Sequence, residues 1–220
     1  GDMPAGLPMA DRAPDRDGLE LDILHVPWGP ALPWWPAGLV VRIQLQGDVL
    51  SDVEVGRIGP TAPAAPFWQA AADAVGPGRA AAAARIDALT RLLAVAGWSG
   101  ERLRAQRVRD GLLGGAPNEE LAGQLERLER RVGRSALLRR MSAALGPSAG
   151  ARVTEAYRGW LADAGGFRDG PPASRTADAQ EAADQLADLL TGAEWSAGRL
   201  IVASLDPELT GALQPGAHRV

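Results

Sequence analysis

The sequence contains no cysteine and no lysine in its 220 residues. Without cysteine this chain can form no disulfide, no thiolate metal site, no iron–sulfur cluster and no cysteine nucleophile. The absence fits a cytoplasmic protein, where disulfides are rare. Without lysine, all 23 residues counted as Lys or Arg are arginine. Arginine favours fixed ion pairs and forked contacts with anions.

The chain has neither a large excess of one charge nor a long apolar run. The chain has 27 acidic against 23 basic side chains and a net charge of -4, which argues against a general nucleic-acid binder. It has no apolar run of about eighteen residues and no secretory signal pattern, so we expect no membrane span. A hydrophobic content of 46% is ample for a folded core.

Metal-binding and catalytic motifs are scarce as well. His25 and His218 are the two histidines of the chain, and neither has a second ligand at helical or hairpin spacing. We therefore predict no metal site and no cofactor. The sequence has no Gly-x-Ser-x-Gly elbow and no phosphate-binding glycine loop, so no catalytic residue is predicted.

The pattern along the chain predicts one domain over residues 18–213. Residues 1–17 and 214–220 mix polar, glycine and proline residues without periodicity, and we expect them to be flexible tails. Residues 59–78 are rich in proline and alanine and predict a linker inside the domain.

Three regions predict strands. Period-two alternation over residues 19–23 is typical of a half-buried strand. The apolar runs 39–46 and 49–58, joined at Gly47-Asp48, predict a β-hairpin. The segment RLIVASL (199–205) predicts a buried strand that returns to the same sheet.

Apolar residues at helical spacing predict four to five helices between these strands. Asn118 and Ser174 are candidate N-caps, and a bend is expected after Gly133. The helices are expected at about 79–97, 99–113, 118–146, 148–164 and 174–191. The predicted fold class is α+β, with a small antiparallel sheet packed on a helical bundle.

Six arginines fall within the third predicted helix: Arg127, Arg130, Arg131, Arg134, Arg139 and Arg140. The first four are the candidate face for an anion or an acidic partner. The alternative is a solvated helix face whose arginines form ion pairs with Glu126 and Glu129.

Three tryptophans fall within eight residues of the loop that precedes the hairpin. The candidate ligand or partner loop comprises Trp28, Pro30, Leu32, Trp34 and Trp35. Such a loop either anchors a partner or covers a flat hydrophobic ligand. The alternative is that its indoles plug the end of the sheet against the helices.

The segment GPALPWWPAGLVVRIQLQGDVLSDVEVGRIG (29–59) resembles the amino-terminal hairpin of the nickel–iron hydrogenase large subunit and of the related 49-kDa family of respiratory NADH:quinone oxidoreductase. That family opens with Gly-Pro, a proline-containing loop, a glycine, a strand, Gly-Asp or Gly-Glu and a second strand. The corresponding positions are Gly29, Pro30, Pro33, Gly38, Leu45, Gly47 and Asp48. The resemblance implies the family's α+β fold.

The segment SLDPELTGALQ (204–214) resembles the end of hydrogenase large subunits, where a strand leads to Asp-Pro-Cys-x-x-Cys-x-x-His. The family's other ligand pair, Arg-x-Cys-Gly-x-Cys, and its quinone-binding histidine have no counterpart here. The resemblance therefore implies a vestigial site without metal ligands, at Asp206, Pro207, Glu208, Gly211 and Gln214.

These observations leave three functional hypotheses. The resemblance implies a non-catalytic, metal-free subunit or accessory protein of a redox complex, held at the inner membrane face by its partner subunits. A second hypothesis is an oxidoreductase subunit of the NADH:quinone type, in which the tryptophan loop and the turn at Asp206–Glu208 contribute to a quinone site. The third, independent of the resemblance, is an α+β interaction module whose arginine-rich helix binds acidic partners in a salt-dependent way.

Overall fold

The computed structural model of the chain describes residues 10–14, 17–58, 66–172 and 179–205. These residues form one antiparallel sheet followed by helices, so the predicted α+β class is confirmed. The strands are β1 (Arg12–Pro14), β2 (Glu20–Trp28), β3 (Leu39–Gln46) and β4 (Val49–Arg57). The helices are α1 (Pro66–Val75), α2 (Pro77–Val95), α3 (Ser99–Leu113), α4 (Asn118–Leu128), α5 (Ala136–Ala143), α6 (Pro147–Gly165), α7 (Ala179–Leu190) and α8 (Trp195–Ala203).

The described strands lie in the order β1-β2-β3-β4, each antiparallel to its neighbour. β3 and β4 form the predicted hairpin, and Gly47 in its turn has a φ of 60°, which suits glycine. Trp28 on β2 lies opposite Val41 on β3. Because side chains alternate along a strand, Trp28, Val41 and Ile43 share the face that packs against the helices.

Two segments that we predicted to be irregular contain regular structure. Strand β1 lies within the predicted tail 1–17, where Arg12 forms a 2.9 Å ion pair with Asp22 across the sheet. Helix α1 lies within the predicted linker 59–78 and begins at Pro66. A strand of three residues is too short to show alternation, and a proline at the first helical position is compatible with helix.

The predicted returning strand 199–205 is wrong, because this region belongs to helix α8. Gly198 lies so close to the sheet that a Cβ would approach Leu50 Cδ1 at 2.9 Å. The second half of the helix is buried on all sides, and a short apolar run of that kind cannot be assigned to strand or helix from periodicity. The sheet therefore has no C-terminal strand within the described residues.

Helix α8 lies between two hydrophobic clusters. Leu200 and Ala203 belong to a helical cluster built around α2, α3, α4 and α6, whereas Ile201 and Val202 belong to a cluster between the sheet and α7. Leu200 and Ala203 are three residues apart, so they lie on one face of the helix, and Ile201 and Val202 lie on another. α8 thus joins the sheet to the helical bundle.

The other helix predictions agree closely with the structure. α3 has the predicted bounds, and the expected bend after Gly133 is a break between a helical turn and α5. The expected cap Asn118 is instead the first residue of α4, preceded by Pro117 at the N-cap. Asn118 Oδ1 accepts a 3.2 Å hydrogen bond from Arg79 Nη1. The other expected cap, Ser174, lies outside the described residues.

Two arginines fasten α3 in place. Arg109 Nη1 on α3 lies 2.8 Å from Asp87 Oδ1 on α2. Burial lowers the pKa of Arg109, but hydrogen bonds to Asp87 and Asp110 outweigh it, so the pKa is raised and the guanidinium stays charged. Arg79 on α2 donates to the carbonyl oxygens of residues 111, 112 and 116 at the α3–α4 turn. These bonds fix the orientation of α3 beside α4.

Candidate anion-binding groove

Helices α3 and α4 turn their apolar residues toward the same core. Val108 and Leu112 on α3, and Leu121, Leu125 and Leu128 on α4, are all buried in the helical cluster. The spacing of these residues decides which side chains remain on the outer faces of the two helices. On both helices the residues that flank the apolar stripe include arginines.

A cavity of about 670 Å³ lies between α3 and α4. We call it the arginine groove, because five of its eight lining residues are arginines. The other lining residues are Gln124 and the nearly buried Val108 and Leu128, which are each 2% exposed. The arginines are Arg104 and Arg107 from α3, and Arg127, Arg130 and Arg131 from α4 and the turn after it.

Glu101, in the first turn of α3, supplies the counter-charge for two of these arginines. Its side chain is 1% exposed. Its Oε1 accepts a 2.7 Å hydrogen bond from Arg104 Nη1 and a 2.6 Å bond from Arg131 Nε. Its Oε2 is buried and has no hydrogen-bond partner within the described part of the chain. The two arginine side chains are 50% and 56% exposed, so the acid lies beneath the guanidinium groups.

The other three arginines of the groove are Arg107, Arg127 and Arg130. Among the residues that the structure describes, none of the three has a side-chain hydrogen bond or an ion pair. Within the described residues, the carboxylate of Glu101 is therefore the one that forms ion pairs with the arginines of the groove, and it pairs with two of the five. Like charges this close repel each other, and an anion in the groove would relieve the repulsion.

A π-helical turn, Glu129–Gly133, follows α4 directly. Its wider hydrogen-bonding pattern is frequently found at functional sites. Val132 in this turn is fully buried in the helical cluster, whereas Arg130 and Arg131 are exposed and line the groove. The turn therefore places Val132 in the core and the two residues before it, Arg130 and Arg131, at the groove.

The structure brings together three of the four arginines of the predicted anion face. Arg127, Arg130 and Arg131 line the groove, but Arg134 does not, since the π-helical turn ends before it. The carbonyl oxygen of Arg134 accepts a 3.1 Å hydrogen bond from Arg139 Nη1. Arg140 is exposed on α5 and does not line the groove.

The alternative of a solvated helix face agrees with the structure in one respect, since all six arginines are exposed. Its ion pairs are wrong, because Glu126 and Glu129 are exposed and neither forms an ion pair within the described residues. The acidic partner of Arg131 is Glu101, which lies 30 residues away in the chain. Sequence reasoning missed Glu101, Arg104 and Arg107. A possible signal was their shared helix face with Val108, at spacings of three, six and seven residues.

The tryptophan loop divides into a buried part and an exposed part. Trp28 and Trp35 are 2% and 8% exposed, and Trp28 packs against Trp35 and Trp195 with ring centroids 4.9 and 4.8 Å apart. Trp35 Nε1 donates a 2.8 Å hydrogen bond to the carbonyl oxygen of Leu39. These indoles fill the end of the sheet, as the plug interpretation predicts.

The rest of the loop lies nearer the surface. Leu32 is partly buried against the sheet cluster, and Pro30 is exposed. Trp34 is 41% exposed with a φ of 59°, and the Arg102 guanidinium carbon lies 4.9 Å from the centre of its ring. The structure therefore does not gather the five residues of the candidate loop around one open cavity.

The remaining candidate residues are placed apart from the groove. His25 is exposed on β2 opposite Gln44, and in the described ranges no group of three His, Cys, Asp or Glu residues could hold a metal ion. None of the helices that the structure describes is long and apolar enough to cross a membrane. His218 and the residues of the proposed vestigial site, Asp206, Pro207, Glu208, Gly211 and Gln214, lie outside the described residues.

Comparisons of the chain with protein-family models, with curated proteins and with solved structures find no match. The arginine groove is therefore the feature from which a function can be argued.

Proposed function

We propose that this protein is an interaction module that binds an acidic segment of a partner protein in the arginine groove. The observation that supports this proposal is the convergence of five guanidinium groups on one cavity, where two of the five form ion pairs with Glu101 and the other three form none within the described residues. Guanidinium groups match carboxylates with two parallel hydrogen bonds, which is stronger than a neutral contact.

The number and spread of the arginines favour a peptide over a single inorganic anion. Two of the five belong to α3, and three belong to α4 and the turn after it. A segment with several carboxylates would pair with guanidinium groups of both walls at once, whereas one small anion would pair with few of them. The aliphatic stems of the arginines also offer apolar surface to such a segment.

The overall charge favours a protein partner over a nucleic acid. The chain carries a net charge of -4, although the groove itself is strongly basic. A long polyanion would extend beyond the groove over a chain whose acidic side chains outnumber its basic ones, whereas a short acidic segment would contact the groove alone. Contacts of this kind weaken as salt is added.

The test is a titration of a fluorescein-labelled glutamate-rich peptide, read by fluorescence anisotropy at about 150 mM ionic strength, where the Debye length is about 8 Å. The triple variant R107Q/R127Q/R130Q removes the three unpaired guanidinium groups of the groove. We expect about tenfold weaker binding, since each exposed guanidinium–carboxylate pair contributes about 0.5 kcal/mol.

The matched control is R140Q/R152Q/R158Q, which removes the same charge from α5 and α6 outside the groove lining. Its affinity for the peptide should stay within about twofold of the wild type, because distant exposed charges are screened. Equal losses in both triple variants would contradict a local site. Tighter binding of a single-stranded oligonucleotide of equal charge would contradict a protein partner.

The redox-subunit hypothesis stays a prediction. Its support within the described residues is the β3–β4 hairpin, which follows the Gly29-Pro30 loop in the order that the resemblance requires. The segment expected to form a strand before Asp206 belongs to helix α8, so the structure gives no support to the C-terminal part of the resemblance. The quinone hypothesis stays a prediction as well, but two of its indoles are buried in the core.

A further inference from the structure

We infer that Glu101 is a positioning residue for ligand binding, whose buried carboxylate holds Arg104 and Arg131 in the orientation that an acidic ligand requires. This inference rests on the proposed function of the groove. It assigns a role in anion binding to an acidic residue, which is the opposite of what its charge alone would suggest.

The first support is the way in which Glu101 is buried. Its side chain is 1% exposed, and a carboxylate that leaves water must be compensated by charge and hydrogen bonds. Both hydrogen bonds fall on Oε1, at 2.7 Å from Arg104 Nη1 and 2.6 Å from Arg131 Nε, whereas buried Oε2 has no partner within the described residues. Most buried polar oxygens in proteins have a hydrogen-bond partner, so an unpartnered Oε2 is unusual.

The second support is which arginine atoms are used. Arg131 binds Glu101 through Nε, and no hydrogen bond within the described residues occupies its two terminal Nη groups. The guanidinium is planar, so fixing Nε also fixes the directions in which both Nη groups donate. Arg131 is 56% exposed and lines the groove, so its terminal fork is available to a ligand.

The third support is the distance in the chain that the contact bridges. Glu101 lies in the first turn of α3, and Arg131 lies in the π-helical turn after α4, so their bond ties together the two walls of the groove. A long arginine side chain loses much rotational freedom when a ligand immobilises it. An arginine that is already held by Glu101 loses less, which strengthens binding through pre-organisation.

A purely electrostatic role makes the opposite prediction. If Glu101 only neutralises the groove, its replacement by glutamine raises the positive potential and tightens anion binding. If Glu101 positions the arginines, the same replacement weakens binding although the groove becomes more positive. The direction of the change therefore separates the two roles.

The experiment measures the affinity of the fluorescein-labelled glutamate-rich peptide for the variant Glu101→Gln. We expect about fivefold weaker binding, within the range of coupling between residues in direct contact. The matched control is Glu126→Gln, which removes one exposed negative charge from α4 without touching an ion pair. It should leave the affinity unchanged or tighten it.

Two further variants show whether Glu101 acts through Arg131. In an R131Q background, E101Q should weaken binding by a smaller factor, because only its contact with Arg104 remains, whereas in an R107Q background it should weaken binding by the same factor as in the wild type. The variant R131K keeps the charge but replaces the planar fork with a point charge. It should weaken binding about as much as E101Q, and it tests the inference even if E101Q folds poorly.

A spectroscopic reading separates positioning from general destabilisation. In the wild type, the Arg131 Nε–H donates to a buried carboxylate, so its NMR signal should be shifted and protected from exchange with water. E101Q should weaken both properties, because a neutral amide oxygen accepts from a guanidinium less strongly than a carboxylate does, while the amide spectrum of the core is unchanged.

The outcomes distinguish this inference from the proposed function. Tighter binding by E101Q, or an undiminished effect of E101Q in the R131Q background, overturns the positioning role. Binding that R107Q/R127Q/R130Q weakens and E101Q does not also overturns it, and leaves the proposed function intact. Absence of peptide binding to the wild-type protein overturns both.

Discussion

Ion pairs with one almost fully buried partner occur at two places in the described residues, and they are built in opposite senses. In the helical bundle the buried partner is the cation: Arg85 is 2% exposed and its Nε lies 3.3 Å from Asp163 Oδ2. At the arginine groove the buried partner is the acid, Glu101, and the two arginines above it are half exposed.

This difference separates an interior contact from a surface that is ready to bind. Arg85 on α2 and Asp163 on α6 form a contact between two packed helices, where both side chains are largely removed from water. Their mutual attraction offsets the cost of burial within the protein. Above Glu101 the charges exceed what one carboxylate can compensate, and the excess faces the groove.

The largest effect is expected from the variant R85M, which leaves Asp163 without its buried partner. Breaking a buried pair is strongly destabilising, and we expect a loss of about 3 kcal/mol in the free energy of unfolding. Urea denaturation measures this loss. Peptide affinity should be unchanged, because neither residue lines the groove.

The double variant R85M/D163L is the control for that experiment. Replacing both members of a buried pair by apolar groups is often neutral, so it should recover most of the lost stability. If R85M costs less than about 1 kcal/mol, the pair does not serve the packing of α2 against α6, and the contrast with the groove fails.

The variant E101Q should give the reverse result, a small change in stability and a clear change in binding. Glutamine keeps the shape and can still accept a hydrogen bond from Arg131, so we expect a loss of about 1 kcal/mol in the free energy of unfolding. Urea denaturation of E101Q beside R85M tests the contrast. A loss as large as that of R85M would make Glu101 chiefly a structural residue.

The contrast between the two ion pairs could not be seen in the sequence. Arg85 lies in an alanine-rich helix and Glu101 in the first turn of the next helix, where an acidic residue is expected from the helix dipole alone. Neither pattern indicates burial. Glu101 acquires its role through Arg131, and a contact over 30 residues is set by how α3 and α4 pack.

The sequence predicts best where the physical causes are local. The bounds of α3 and the β3–β4 hairpin follow from periodicity and from glycines that end or turn the chain, and both agree with the structure. The predicted strand 199–205 fails because burial on all sides removes the periodicity that distinguishes a strand from a helix.

The arginine groove falls between these two cases. Arg127, Arg130 and Arg131 are close in the sequence and could be predicted as one face. Arg104 and Arg107, the opposite wall, come from another helix, so their contribution depends on tertiary packing. Three of the five arginines could therefore be predicted from the sequence, and Glu101 beneath the groove could not.

The smallest effect on stability is expected from added salt. Salt also tests the contrast between the interior Arg85–Asp163 pair and the exposed arginines above Glu101. Between about 10 and 150 mM ionic strength the Debye length falls from about 30 to about 8 Å, which screens exposed charges far more than buried ones. Peptide affinity should fall severalfold over this range, and R107Q/R127Q/R130Q should reduce the dependence of affinity on salt.

The free energy of unfolding should change by less than about 0.5 kcal/mol over the same range, and the difference in that free energy between R85M and the wild type should stay constant. If that difference shrinks with salt as steeply as peptide binding does, Arg85 is reached by solvent in solution, and the two ion pairs are of one kind.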